Sequence, residues 1–250
     1  MSEHRKESLI TESAAALELA QLVVDGVFYG RGVPRGDGRV VLVVPGLFGN
    51  DLYLRPLRGW LGRMGYRPVR SSLRFNAGCP RRMCEQVEAQ IEREVGARAV
   101  PMTLIGHSRG GILCRALAGQ LGSRISHLIT LGSPLAAIAE AARAGWWRSP
   151  SQMGVAQTVA DAGLRARRRL DPECTFPDCG CPYVGNLARA LSEQTKVLCI
   201  YSRDDPIIPV AAARLEQPGV RNLEVGGTHS GLVYNRAVYR AIATALAQGD

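Results

Sequence analysis

At 250 residues, with 46% hydrophobic and 21% charged positions, the chain has the composition of one soluble globular domain with a sizeable core, 1–250, and excludes a low-complexity or repeat protein. The 31 lysines and arginines against 22 aspartates and glutamates leave a formal charge of +9, a balance that attracts nucleic acid, anionic lipid or acidic substrates. A 6% aromatic content without a recognition-helix or stacking pattern argues against nucleic acid, and no apolar run reaches the roughly 20 residues of a membrane span.

In chain order, the first element is helical. The stretch from Ala14 to Val24 is interrupted by Glu18 and preceded by Glu12, which is not the pattern of a signal peptide. Leu9, Leu17, Leu22 and Val24 predict an amphipathic helix that packs on the domain, with the cytoplasm as the default location. A strand over Val40-Val41-Leu42-Val43-Val44 then turns through Pro45-Gly46-Leu47-Phe48-Gly49. Further apolar runs beginning near Arg67, Met102, Leu128, Val197 and Leu223 alternate with helical patterns. That alternation predicts an α/β fold of about six mostly parallel strands with helices on both faces.

One of these runs, Pro101-Met102-Thr103-Leu104-Ile105, feeds directly into Gly106-His107-Ser108-Arg109-Gly110, and a helical pattern from Ile112 to Ala118 leaves it. A G-x-S-x-G pentapeptide between strand and helix holds its serine in strained backbone geometry, and the two glycines leave room that side chains would deny. Ser108 is therefore the candidate nucleophile. A serine hydroxyl needs a base, and the base needs a third group to fix its tautomer. Of the four histidines, His4 lies in a charged tail, His107 adjoins the serine and is expected to point elsewhere, and His127 is expected to cap a buried strand. His229, in Gly226-Gly227-Thr228-His229-Ser230-Gly231 after a strand-like run, is the candidate base. Asp204 and Asp205 follow the apolar run Lys196 to Ser202. Asp205 is the candidate acid, because the stiff apolar Pro206-Ile207-Ile208-Pro209 after it shields a carboxylate from water; Asp204 is expected at a turn or the surface.

The order Ser108, Asp205, His229 is that of the α/β-hydrolase triad, and from about Val40 to Leu246 the chain resembles that superfamily. Tyr201-Ser202-Arg203-Asp204-Asp205-Pro206-Ile207-Ile208 and Gly227-Thr228-His229-Ser230-Gly231-Leu232 are similar to the carboxyl-terminal third of small bacterial lipases and esterases. The resemblance implies an acid before a hydrophobic triplet and a base before a small residue and glycine, and both positions match. Acyl transfer also needs backbone donors for the developing oxyanion. The N–H of Arg109, unpaired at a helix start, is one candidate, and that of Leu47 is the other, with Phe48 next. Lipases often carry His-Gly at this turn, where the chain has Pro45-Gly46.

Between the fourth and fifth strands lies a long segment, 134–193, where α/β-hydrolases usually place a cap. It carries Trp146, Trp147, Met153, an arginine cluster at Arg165, Arg167, Arg168 and Arg169 expected as a solvated face, and Cys174, Cys179 and Cys181. Close cysteines suit zinc or a disulfide, but a fourth ligand at zinc-site spacing is missing, and free thiols packing a loop are the reading adopted. Cys114 and Cys199 read as small core residues, and Asn76 as either pocket lining or a turn residue. The expectation is a serine hydrolase that cleaves small-molecule or lipid carboxylic esters through an acyl-enzyme, with no cofactor, no metal, no nucleic acid and at most peripheral membrane contact. A thioesterase or acyltransferase on the same residues, and a non-catalytic acyl-ligand binding protein, are the alternatives. The oligomeric state is not legible.

Overall fold

Five consecutive apolar residues with no polar alternation form β1, Val40–Val44, buried throughout as a strand covered on both faces must be. In a computed structural model, which describes residues 15–96, 101–143, 154–175 and 181–247 and for 140–143 and 154–160 the backbone alone, five further strands join it. They are β2 (Arg67–Arg70), β3 (Met102–His107), β4 (Ile125–Leu131), β5 (Lys196–Ser202) and β6 (Val220–Val225). All pairings are parallel, in the order β2-β1-β3-β4-β5-β6. The two edge strands, β2 and β6, carry the polar and exposed positions, and Pro68 is tolerated because β2 is an edge. β4 begins at Ile125, three residues before the apolar run does. Its polar start is held by pairing with β3 and by Ser126 Oγ donating to Met102 O at 3.2 Å, so His127 lies within β4 and does not cap it.

Alternate side chains along the strands face two separate cores. Val41, Val43, Ile105, Ile129, Leu198 and Ile200 pack under α2 (Arg55–Arg63) and α9 (Arg236–Ala247), where Trp60 and Tyr239 are the largest fully buried side chains. Val40, Leu42, Val44, Leu104, Leu128 and Cys199 pack under α3 (Pro80–Val95), α4 (Arg109–Leu121) and α7 (Pro182–Ala188). Cys114 is buried in this second core. Full burial of a leucine-sized side chain stabilises by roughly 1.5–3 kcal/mol, so these two layers dominate the favourable side of folding.

The first described helix, α1 (15–24), corrects the sequence reading. Leu22 is fully buried, but Leu17 and Val24 are 60% and 84% exposed. The inward face is Glu18 and Leu22, four residues apart, because Glu18 accepts a hydrogen bond from the Thr228 N–H at 2.9 Å. Leu9 lies outside the described residues, as do Trp146, Trp147, Met153, Cys179 and His4.

Of the segment 134–193, α5 (Leu135–Arg143) and α7 pack on the sheet face. Between them α6 (Gly154–Leu170) runs past the loop after β1, where a side chain at Gly163 would meet Leu47 at 3.1 Å. Within the arginine cluster Arg165, Arg168 and Arg169 are exposed, whereas Arg167 is buried and donates to Cys174 Sγ, so the cluster is only in part a solvated face. Among the described residues no helix is long and apolar enough to cross a membrane.

The chain moves outward from β1 to β2 and returns on the other side of β1 for β3. Adjacent loops therefore diverge at the carboxyl ends of β1 and β3, the place where an open α/β sheet leaves a crevice for ligands. A short helix α8 (Val210–Ala213) follows β5.

Candidate active site

β3 ends and α4 begins within two residues, and Ser108 makes the turn at φ 52° and ψ −124°, a conformation that costs a non-glycine residue on the order of 1–3 kcal/mol. The turn exists because its neighbours have no side chains. A Cβ at Gly106 would lie 2.4 Å from the Gly111 backbone, and one at Gly110 would lie 2.4 Å from the Val44 carbonyl oxygen. Gly111, which sequence reasoning missed, is equally constrained, since its Cβ would fall 2.0 Å from Ser133 Oγ. The Ser108 N–H donates to Leu131 O at 2.8 Å, which ties the turn to the end of β4.

His229 is buried on the loop after β6, and its Nδ1 lies 2.6 Å from Asp205 Oδ2. The other carboxylate oxygen of Asp205 accepts the N–H groups of Ile207 and Ile208 at 2.8 and 2.9 Å, so the Pro-Ile-Ile segment holds the acid by its backbone as well as covering it. Gly132, at φ 56°, allows the end of β4 to run against this pair: a Cβ there would stand 3.2 Å from both Asp205 Oδ2 and His229 Nδ1. With Nδ1 engaged by the carboxylate, Nε2 is the imidazole nitrogen left for exchange. Asp204 is exposed, with its N–H on Ser202 Oγ at 3.0 Å.

The turn after β1 touches the elbow, since a Cβ at Gly46 would lie 3.2 Å from that of Ser108. The N–H groups of Leu47 and Arg109 meet no acceptor among the described residues. Phe48, the second-ranked donor from sequence, is excluded, because its N–H donates to Asn76 O at 3.0 Å. Asn76 is a buried brace and not pocket lining: its Nδ2 donates to Pro45 O at 2.7 Å and its N–H to Gly49 O at 2.9 Å. The Arg109 guanidinium donates to Asn76 O and Gly78 O at 2.9 and 2.7 Å, and burial pulls its pKa down.

Behind these groups runs a chain of hydrogen bonds that sequence reasoning did not find. Gly46 N–H donates to the Tyr53 hydroxyl at 2.6 Å, that hydroxyl donates to His107 Nδ1 at 3.0 Å, and His107 Nε2–H donates to His229 O at 2.9 Å. The directions fix one another, since a hydroxyl that donates to Nδ1 requires the proton of a neutral imidazole on Nε2. Burial, and then repulsion from His229, push the pKa of His107 down to about 3, so the ring is neutral. Both ring nitrogens of His107 are thus engaged, and the ring joins the turn after β1 to the loop that carries His229. Its position in the motif was the only signal; nothing local marks Tyr53.

Among the described residues no three histidine, cysteine or acidic side chains are grouped to hold a metal. Cys174 accepts a contact from the Arg167 guanidinium at 3.8 Å.

The palmitoyl protein thioesterase family model matches residues 71–169. No curated protein sequence matches the chain. Similar solved structures include a thermophilic esterase from Thermogutta terrifontis, at 17% identity and TM-score 0.52, with 86% of this chain and 91% of that one covered. The Paleococcus ferrophilus monoacylglycerol lipase is 16% identical at TM-score 0.51, with 86% and 96% covered. A lipase-esterase related protein from Clostridium acetobutylicum is 14% identical at TM-score 0.52, with 87% and 98% covered. The six-stranded parallel sheet, its strand order and these likenesses together establish that the chain has the α/β-hydrolase fold.

Proposed function

We propose that the protein is a serine hydrolase that cleaves carboxylic esters through an acyl-enzyme. The Ser108 hydroxyl attacks the acyl carbonyl while His229 Nε2 takes its proton; Asp205 holds the imidazole in the tautomer that allows this and stabilises the imidazolium that forms. The carbonyl oxygen becomes negative between the N–H groups of Leu47 and Arg109, where the start of α4 adds its dipole. His229 then gives the proton to the leaving group, and a water deprotonated by the same nitrogen releases the acid. The observation that carries this reading is the 2.6 Å contact between His229 Nδ1 and Asp205 Oδ2 at the end of the sheet that presents the strained Ser108.

Two exposed rings, Phe48 and Phe75, stand 5.6 Å apart beside Leu47, and α6 covers Leu47 from the segment 134–193. They support an acyl group of small-molecule or lipid origin and a cap formed by α6. The buried thiols Cys79, Cys84, Cys114 and Cys199, none of them in a disulfide among the described residues, fit a reducing compartment, in keeping with the cytoplasm. The test is hydrolysis of p-nitrophenyl butyrate. Ser108→Ala is expected to lose at least about 10⁴-fold in kcat; turnover near the wild-type rate refutes the proposal.

The family match over 71–169, which contains Ser108 and Arg109, favours a second reading in which the same residues act on a thioester or pass the acyl group to an acceptor other than water. Partition of product between water and an added alcohol or thiol separates these. Product that is free acid alone supports hydrolysis.

A further inference from the structure

Beside the turn after β1, an open cleft of about 870 Å³ lies at the carboxyl end of β2, and its charge is one-sided. Five arginines line it, Arg55, Arg58, Arg70, Arg74 and Arg93, against a single carboxylate, Asp51. That carboxylate is already engaged. Its Oδ1 accepts the Ser71 N–H and hydroxyl at 3.1 Å each and Arg58 at 3.4 Å, and its Oδ2 accepts the Ser72 N–H at 2.9 Å. Asp51 thereby staples the loop after β1 to the loop after β2, where Ser72 is held at φ 62°. Arg58 is fixed on Asp51 O at 2.7 Å and Arg93 on Gln90 at 2.6 Å. The side chains of Arg55, Arg70 and Arg74 have neither an acidic partner nor a hydrogen bond among the described residues. The cations act on one another as well as on solvent: burial chiefly, then Arg70 and Arg55, pull the Arg58 pKa down, against the lift from Asp51.

Guanidinium groups gathered on a braced wall, with their one carboxylate already engaged, are the arrangement that planar, bidentate recognition of phosphate uses. The cleft is of the size that takes a ligand larger than a single inorganic ion. We infer that it binds the phosphate groups of a small molecule, and that this molecule is the leaving half of the acyl substrate; the second half of this inference rests on the hydrolase reading above. The link is the loop itself, since Asn50, Asp51 and Leu52, which line the cleft, continue directly from Leu47 and Phe48.

Isothermal calorimetry of the full chain with inorganic pyrophosphate at low salt tests the site, comparing wild type with Arg55→Gln/Arg70→Gln. Saturable binding that weakens about 100-fold in the variant supports it, two charge-assisted contacts having been removed. Absence of binding to wild type, or equal binding to both, overturns it. Co-sedimentation with phosphatidylcholine vesicles containing phosphatidylglycerol is the second arm. Vesicle binding that needs the two arginines and is not displaced by pyrophosphate overturns the small-molecule source in favour of a lipid headgroup. The third arm compares turnover of p-nitrophenyl butyrate with that of palmitoyl coenzyme A, a thioester whose leaving half carries a diphosphate. The variant is expected to keep the first and to lose tenfold or more in kcat/KM on the second. Equal loss on both overturns the link to the leaving half. Pyrophosphate binding in a protein that hydrolyses neither ester upholds the cleft while the hydrolase reading alone fails.

Discussion

Asp205 divides its two oxygens between different tasks, one on His229 and one on the N–H groups of Ile207 and Ile208. In Asp205→Asn the amide oxygen stays on the two backbone donors, so the NH₂ group faces Nδ1 and forces the imidazole proton onto Nε2, where it blocks acceptance from Ser108. We expect kcat to fall about 10³- to 10⁴-fold with KM little changed, measured on p-nitrophenyl butyrate with circular dichroism as the check on folding. Tyr53→Phe makes a different cut. It leaves the Gly46 N–H without an acceptor and His107 Nδ1 without a donor, both in buried surroundings, and is expected to cost about 1–3 kcal/mol of stability in urea unfolding. If the chain of bonds also positions the turn and the base, kcat falls while KM holds; a stability loss with unchanged kcat assigns Tyr53 a structural role alone.

The strand–turn–helix element at Ser108 is fixed by close approach of backbones. Gly110→Ala places a methyl 2.4 Å from the Val44 carbonyl oxygen, a contact with main chain that no rotamer relieves, and we expect destabilisation of about 3 kcal/mol or more in thermal unfolding. The same element shows what the sequence made legible. β1 and β3 stand out because strands covered on both faces are unbroken apolar runs, and the G-x-S-x-G spacing names its own geometry. β2, β6 and the first residues of β4 are blurred, because edge and end positions pair through backbone and admit Arg67, Arg221 and Ser126. The inner face of α1 was misread because a charged residue, Glu18, occupies it: hydrophobic periodicity counts it as outward, while its carboxylate serves the Thr228 N–H. Asp205 and His229, singled out from their strand ends, do lie 2.6 Å apart. Tyr53 was not, since its partners lie at Gly46 and at His107, 54 positions away, and meet it only when the sheet brings two loops together.

At the scale of the whole molecule, a buried histidine and a half-buried glutamate impose opposite pH dependences on stability. His107 in the folded state takes up a proton only near pH 3, against an ordinary value of 6.5. Between these values the unfolded chain binds more protons, so stability is fully present above about pH 6.5 and is lost as pH falls toward 3, by on the order of 4 kcal/mol. His107→Gln, which keeps an N–H for His229 O, is expected to flatten this slope in urea titrations across that range. Glu18 works the other way. Burial raises its pKa, so its contribution is greatest at low pH and declines as pH rises through the folded value. Glu18→Gln is expected to be more stable than wild type at neutral pH, with the difference vanishing below the ordinary carboxylate range. Both groups contact the loop that carries His229, which His107 holds from the elbow side and Glu18 from α1. The most direct measurement of whether that loop serves acyl chemistry is covalent: reaction with a fluorophosphonate, followed by digestion and mass spectrometry. The account predicts a single adduct, on Ser108, whose formation slows sharply in His229→Ala; an unlabelled wild type, or an adduct on another residue with Ser108 untouched, contradicts it.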